Sequence, residues 1–137
     1  MAGTAGVLDY DDCWTRLKTH DLGRVAVVIR GNPFVFPVNY LVHDDVVVFR
    51  TGEGAKLDGV FTSPSVALEI DGIDPATGDA WSVIVVGQAR MITDPDRRAE
   101  VEPRMPASWA AGDTPFLVEI HPDEVSGRLL PGPQPAT

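Results

Sequence analysis

Two stretches of the chain carry its strongest pattern. Arg24-Val25-Ala26-Val27-Val28-Ile29-Arg30 is nearly unbroken in apolar residues. It predicts a strand buried on both faces. From Phe34 to His43, the residues Phe34, Phe36, Val38 and Tyr40 fall on one face, with Val35, Pro37, Asn39 and Leu41 on the other. Gly31-Asn32-Pro33 reads as the turn between the two. Pro37 has no N–H for a ladder, so the second strand is expected to be interrupted or at an edge there. Asp44-Asp45 makes the next turn, and Val46 to Thr51 returns antiparallel, giving a meander.

The pattern continues with Val66 to Ile70 as a fourth strand, Trp81 to Ile92 as a fifth and Phe116 to Ile120 as a sixth. Gly87, near the middle of the fifth, permits a bulge. Asp9 or Asp11 caps a helix whose Cys13, Trp14 and Leu17 share one side. Ala55 to Phe61 reads as a short helix. Asp94 caps another, with Pro95 at its favoured first position, running to about Glu102. Asp71 to Asp79 is a loop, and Pro103 to Asp113 is irregular. Six short strands with hairpin links and few helices predict a mainly β domain, a six-stranded antiparallel barrel. It is expected over residues 9–130, between a disordered start at 1–8 and a disordered tail at 131–137.

Composition narrows the function. The chain has 137 residues, 44% of them hydrophobic, enough for one domain with a real core. No apolar run is long enough for a membrane span, and the first residues lack the features of a secretion signal. Cys13 is the lone cysteine, so no disulfide framework exists. A cytoplasmic location is the default expectation. The formal net charge of −9 argues against nucleic acid as a partner.

Against that acidic background the segment Phe49-Arg50-Thr51-Gly52-Glu53-Gly54-Ala55-Lys56-Leu57 stands out. Lys18 and Lys56 are the only lysines, and Lys56 follows Arg50 closely. Guanidinium, hydroxyl, glycine amides and a helix start converge there, which is what a phosphate group requires. Arg50 shares a strand face with Val46 and Val48, a costly row for a charge without a rim position or an anionic partner. The competing reading is an arginine at a strand end and a lysine at a helix start, both in solvent. Phe36-Pro37-Val38-Asn39-Tyr40 is a second candidate. Its backbone is able to meet a flat heterocycle, although on the residues alone an ordinary edge strand is the better reading. Trp81 and Trp109 are placed to stack on a ring or pack a core, and Trp14 reads as core. Arg97 and Arg98 read as a solvated helix face. His20, His43, His121 and Cys13 form no metal-ligand spacing, and the Asp71–Asp79 loop lacks a calcium-loop pattern. No nucleophile elbow, Walker loop or dinucleotide fingerprint occurs. Any chemistry would have to come from a bound organic cofactor.

The order of several segments resembles the pyridoxamine 5′-phosphate oxidase-like family, the FMN-binding split β-barrels, in its short actinobacterial form. They are Leu22-Gly23-Arg24-Val25-Ala26-Val27, Phe36-Pro37-Val38-Asn39-Tyr40, and Phe49-Arg50-Thr51 with Gly54, Lys56 and Leu57. Val66-Ala67-Leu68-Glu69-Ile70-Asp71, the stretch from Trp81 to Ala89, and Pro122-Asp123-Glu124-Val125-Ser126-Gly127-Arg128 complete the series. The resemblance implies a homodimer with flavin sites between subunits. Pro37, Val38, Asn39 and Tyr40 would border the isoalloxazine ring, and Arg50, Thr51 and Lys56, beside Leu57, would hold the 5′-phosphate. Trp81 and Ser82 would flank the ribityl chain or ring edge, with Trp109 reaching in from the partner. The implied activity is FMN-dependent oxidoreduction of an unknown small molecule. A flavin-binding or sensing module without turnover, and a deazaflavin-dependent reductase, are the alternatives. Vitamin B6 oxidation is not expected, because the substrate-phosphate residues of longer members are missing near the C-terminus.

Overall fold

A computed structural model describes residues 6–52, 54, 64–107 and 116–133. In chain order these form β1 (Gly6–Val7), α1 (Tyr10–Thr19), β2 (Leu22–Ile29), β3 (Asn32–His43), β4 (Val46–Thr51), β5 (Ser65–Ile73), β6 (Ala80–Met91), α2 (Pro95–Val101), a 3-10 turn at Glu102–Arg104, and β7 (Phe116–Leu130). All pairings are antiparallel. The sheet runs β7-β4-β3-β2-β5-β6, and pairing of β6 with β7 closes it into a six-stranded barrel, with β1 added against β7. The expected meander is β2-β3-β4.

The hairpins explain their own turns. Arg30 and Gly31 have φ of 51° and 79°, and Asp44 and Asp45 have φ of 50° and 60°. Two successive left-handed residues match the twist of the flanking strands. The first turn therefore falls on Arg30-Gly31, and Asn32 and Pro33 already pair with Ile29 and Val28. At Gly87 the ladder between β6 and β7 slips by one residue, the bulge expected there. A Cβ on Gly87 would lie 2.2 Å from the His121 carbonyl oxygen, so glycine is what lets the strands close at this point.

The barrel interior is packed by Val25, Val27, Tyr40, Phe49, Leu68 and Val83, each 1% exposed or less. α1 plugs one end with Cys13, Trp14 and Leu17, and its start is fixed by Asp9, whose carboxylate accepts from the Asp12 N–H at 2.8 Å. A separate apolar cluster lies outside the barrel wall, where Val46, Val48 and Leu117 meet Ile92 and Val101 beneath α2. No helix among the described residues is long and apolar enough to cross a membrane.

Several expectations are corrected. β2 is not buried on both faces: Val25, Val27 and Ile29 point inward, while Arg24 and Val28 are exposed on the outer face. A continuous apolar run predicts two covered faces, but among the described residues nothing covers the outer one. β7 does not stop at Ile120 but runs to Leu130, because the bulge opposite Gly87 lets Pro122 stay in the strand. Residues 6–8 are not a loose terminus. β1 pairs with β7, and the Leu8 N–H donates to the Gly127 carbonyl at 3.0 Å. At the other end, the Gly132 N–H donates to Asp79 at 2.7 Å. The helix expected over Ala55–Phe61 lies outside the described residues.

Candidate functional site

β3 and β4 are neighbours that pair only from Tyr40↔Phe49 to His43↔Val46. Beyond Tyr40 towards its N-terminus, β3 pairs with β2 alone, down to Asn32. Beyond Phe49, β4 pairs with β7 alone, through Arg50↔Leu117 and Thr51↔Phe116. Among the described residues no ladder joins β3 to β4 beyond Tyr40↔Phe49, so the two strands part at this point. Pro37, Val38 and Asn39 lie on one side of the gap and Arg50 and Thr51 on the other. This accounts for Pro37: it occupies the stretch of β3 with a single ladder, the edge position expected for it.

Behind the gap the floor is rigid. Val38, Asn39 and Tyr40 are 4%, 7% and 1% exposed. The Tyr40 hydroxyl donates to the Leu17 carbonyl at 2.8 Å, and its N–H donates to the Asp21 carbonyl at 2.9 Å. Burial pushes the Tyr40 phenol well above its ordinary value, so it stays a neutral donor. The Asn39 side-chain amide also donates to Asp21, at 3.4 Å. The end of α1 joins this floor to Trp81, whose ring carries the Arg16 guanidinium at 4.6 Å and His20 edge-on at 5.0 Å. Trp81 faces inward and is 7% exposed. Ser82, one residue on, takes the opposite face of β6, in register with Asp71 and Arg128 on the outside of the barrel.

Arg50 and Thr51 alternate across β4. Arg50 follows Val46 and Val48 to the side covered by α2, and there it meets the anionic partner such a row demands. Its Nη1 donates to Glu102 Oε1 at 2.7 Å, and Arg98 holds the other oxygen of Glu102 at 3.0 Å. Thr51 is fully buried on the other side, and its hydroxyl donates to the Gly52 carbonyl at 3.2 Å. The structure therefore brings Pro37–Tyr40 and the Arg50–Thr51 backbone to one gap. It turns the Arg50 guanidinium into an ion pair and sets Ser82 on another face. Lys56, Leu57 and Trp109 lie outside the described residues.

Sequence reasoning missed the charged belt around α2. Arg97 is not a solvated arginine: it spans from Asp44 in the β3–β4 turn, at 3.2 Å, to Glu119 on β7, at 3.3 Å. Arg98 and Glu102 stand at i, i+4, a spacing visible in the sequence. The link from Glu102 to Arg50 spans 52 positions and leaves no such trace. His43, Asp44 and Glu100 bring ligand-type atoms within 4.8 Å of one another. Arg104, a permanent donor, gives its hydrogen to His43 Nδ1 at 2.6 Å, which leaves the ring hydrogen on Nε2 to donate to Glu100 at 2.8 Å. A metal would need the Nε2 lone pair, so the cluster is a charge network that fixes the turn against α2 and Arg104.

A closed six-stranded barrel with one pair of strands parted defines a split β-barrel. The profile of the pyridoxamine 5′-phosphate oxidase family matches residues 9–129, and the chain belongs to that family. It is 34% identical over 125 residues to the uncharacterized Mycobacterium tuberculosis protein Rv0080, covering 88% of this chain and 82% of the relative. Among solved structures, it superposes on a proposed pyridoxamine 5′-phosphate oxidase from Corynebacterium glutamicum with a TM-score of 0.83 and 29% identity, over 98% of this chain and 99% of the other. An FAD-binding protein from Mycobacterium smegmatis gives a TM-score of 0.72 and 30% identity, over 91% and 98%.

Proposed function

We propose that this chain is a flavin-binding split barrel that holds FMN in the gap between β3 and β4, with the ring along Pro37–Tyr40. The observation that carries the reading is the parting of the two strands at Tyr40↔Phe49, which leaves polar backbone edges on the segments that match the family. The FAD-binding relative from M. smegmatis supports a flavin nucleotide in general. The donor set fits in part. The edges offer N–H and C=O groups to a flat heterocycle, and Asn39 and Tyr40 hold the wall in place. Arg50 is already occupied by Glu102, so phosphate recognition falls chiefly on Lys56 and the amides after Thr51, with Arg50 fixing the strand end.

A bound flavin supplies hydride transfer; the chain's part is to bind, orient and shield it. On this reading the protein is an FMN-dependent oxidoreductase for a small molecule, working as a homodimer whose second subunit closes the open side of the gap. Among the described residues of the gap none is a named acid or base, so binding without turnover is the second reading.

Titration of the flavin-free protein with FMN, FAD and a deazaflavin, followed by fluorescence, tests this. Micromolar FMN affinity, about 8 kcal/mol, is expected. Lys56→Glu should weaken it at least about 100-fold by replacing a phosphate donor with a repulsive charge. Arg50→Met should weaken it by less than about tenfold, because that guanidinium is engaged elsewhere. Equal FMN affinity in the Lys56→Glu protein defeats the phosphate assignment. Absence of binding to any of the three cofactors defeats the flavin reading. Reduction of the bound FMN by NAD(P)H, followed by substrate turnover, separates enzyme from binder.

A further inference from the structure

β3 outruns β2 at the end away from the gap. β2 begins at Leu22, close to Asn39, so Leu41, Val42 and His43 pair with β4 alone. An open hollow of about 820 Å³ lies there, between the end of α1, β3, the Asp44-Asp45 turn and the residues after α2. That volume suits a small molecule. Hydrogen bonds hold its wall. The Tyr40 N–H and the Asn39 amide donate to the Asp21 carbonyl, and the Tyr40 hydroxyl donates to that of Leu17. His20 Nδ1 donates to the Arg16 carbonyl at 2.7 Å, fixing the link where it leaves α1. Leu41 and Val42, both half-buried, supply an apolar part.

The charges around this hollow divide into used and unused. Asp44 is held by Arg97 at 3.2 Å and by His43 at 3.3 Å. Lys18, Arg104, Asp21 and Asp45 also line the hollow, and among the described residues none of the four has an ion-pair partner. Arg24, Arg50, Arg97 and Arg98, by contrast, each sit on a carboxylate. Arg104 is nevertheless oriented: its Nη1 donates to Nδ1 of His43, which is 6% exposed. A buried ring that accepts this bond positions the guanidinium without neutralising it.

We propose that this hollow binds a small zwitterion with an apolar body, an amino acid or a short peptide. Its carboxylate meets Lys18 and Arg104, its ammonium meets Asp21 and Asp45, and its side chain lies on Leu41 and Val42. The two signs on the wall select this class. An anion alone would be repelled by the two aspartates, and a cation alone by the lysine and the arginine. A ligand carrying both charges satisfies all four groups. The inference does not rest on the flavin reading: of the residues bordering the gap, only Tyr40 also lines the hollow.

Calorimetric titration of the full-length protein with L-leucine and with leucyl-leucine tests this. Saturable binding of at least one, with a dissociation constant below about 1 mM, is expected. Binding of leucine supports a free amino acid as the occupant, and binding of the dipeptide alone supports a peptide. Acetylating the amine or amidating the carboxylate of the bound probe should weaken it at least about tenfold. Arg104→Met and Lys18→Met should each cost at least about tenfold in affinity. Lys18 is exposed on α1 and lies outside the His43 network, so its variant should keep the circular dichroism of the parent. Asp45→Asn, which tolerates the φ of 60° at that position, should weaken the probe by a similar factor. No saturable binding of either probe overturns the proposal. Affinity unchanged in all three variants overturns the location. An acetylated or amidated probe that binds as tightly as the free one overturns the zwitterion.

Discussion

The barrel has two outer faces built from the same kind of strand, and the chain treats them in opposite ways. On β4, Val46 and Val48 are 7% and 0% exposed because α2 and the Glu102–Arg104 turn lie over them. On β2, Val28 is 40% exposed, and no described element lies over it. The covered face carries ion pairs at its rim: Arg50 and Arg98 on Glu102, Arg97 on Asp44 and Glu119. The bare face ends in a frustrated group, two carboxylates sharing one arginine. Apolar strand residues thus show only that a face is to be covered. Whether a helix or another molecule does the covering is written in the neighbouring charges.

Matched substitutions break this comparison most sharply. Val48→Asp buries a charge under α2 with no free partner and should destabilise the fold by more than about 4 kcal/mol, enough to abolish cooperative thermal unfolding. Val28→Asp, at the equivalent place on the bare face, should change the stability of the single chain by less than about 1 kcal/mol. Similar losses in the two proteins would mean that the bare face is packed in a way the single chain does not reveal. The next effect in size is on the rim. Arg50→Met removes one partner of a half-buried pair and leaves Glu102 with Arg98 alone, at a cost of about 1–3 kcal/mol in urea unfolding. Arg50→Met with Glu102→Gln should recover much of that loss, since no uncompensated charge remains. If the double variant is no better than the single one, the Arg50–Glu102 contact is not what holds the strand end.

The barrel was legible because its signals are local: hairpin turns at Asp44-Asp45, alternation in Phe34 to His43, and the Gly87 bulge all act within a few residues. Pro37 at an edge was legible for the same reason. The extension of β7 past Pro122 was not, because it depends on a glycine some 35 positions earlier on β6. The site divided along the same line. An interrupted or edge strand at Pro37 and an anionic partner for Arg50 followed from edge and charge patterns. The pairing of Arg50 with Glu102, and the carboxylate couple of Glu69 and Asp71 at Arg24, join residues 52 and 47 positions apart. Contacts of that range leave no periodic trace in one chain.

The smallest effect separates the two faces by titration. Glu69 has its carboxyl raised from an ordinary 4.5 to about 7 in the fold, with burial the first cause and Asp71 the second. Ionising it therefore costs the folded state more than the unfolded one. Its contribution is at its most favourable below pH 4.5, is lost as pH rises to about 7, and stays lost above that. Glu69→Gln keeps the shape and removes the ionisation, so it should stabilise the protein at pH 8 and leave it nearly unchanged at pH 4. With the side chain one-third exposed, water screens most of the shift, and the gain at pH 8 should be about 1 kcal/mol. Glu102→Gln, on the covered face, should give the opposite sign, losing stability at neutral pH because it weakens pairs that are already formed. If both glutamines shift stability in the same direction at pH 8, the contrast between a sealed and a waiting face has no electrostatic basis.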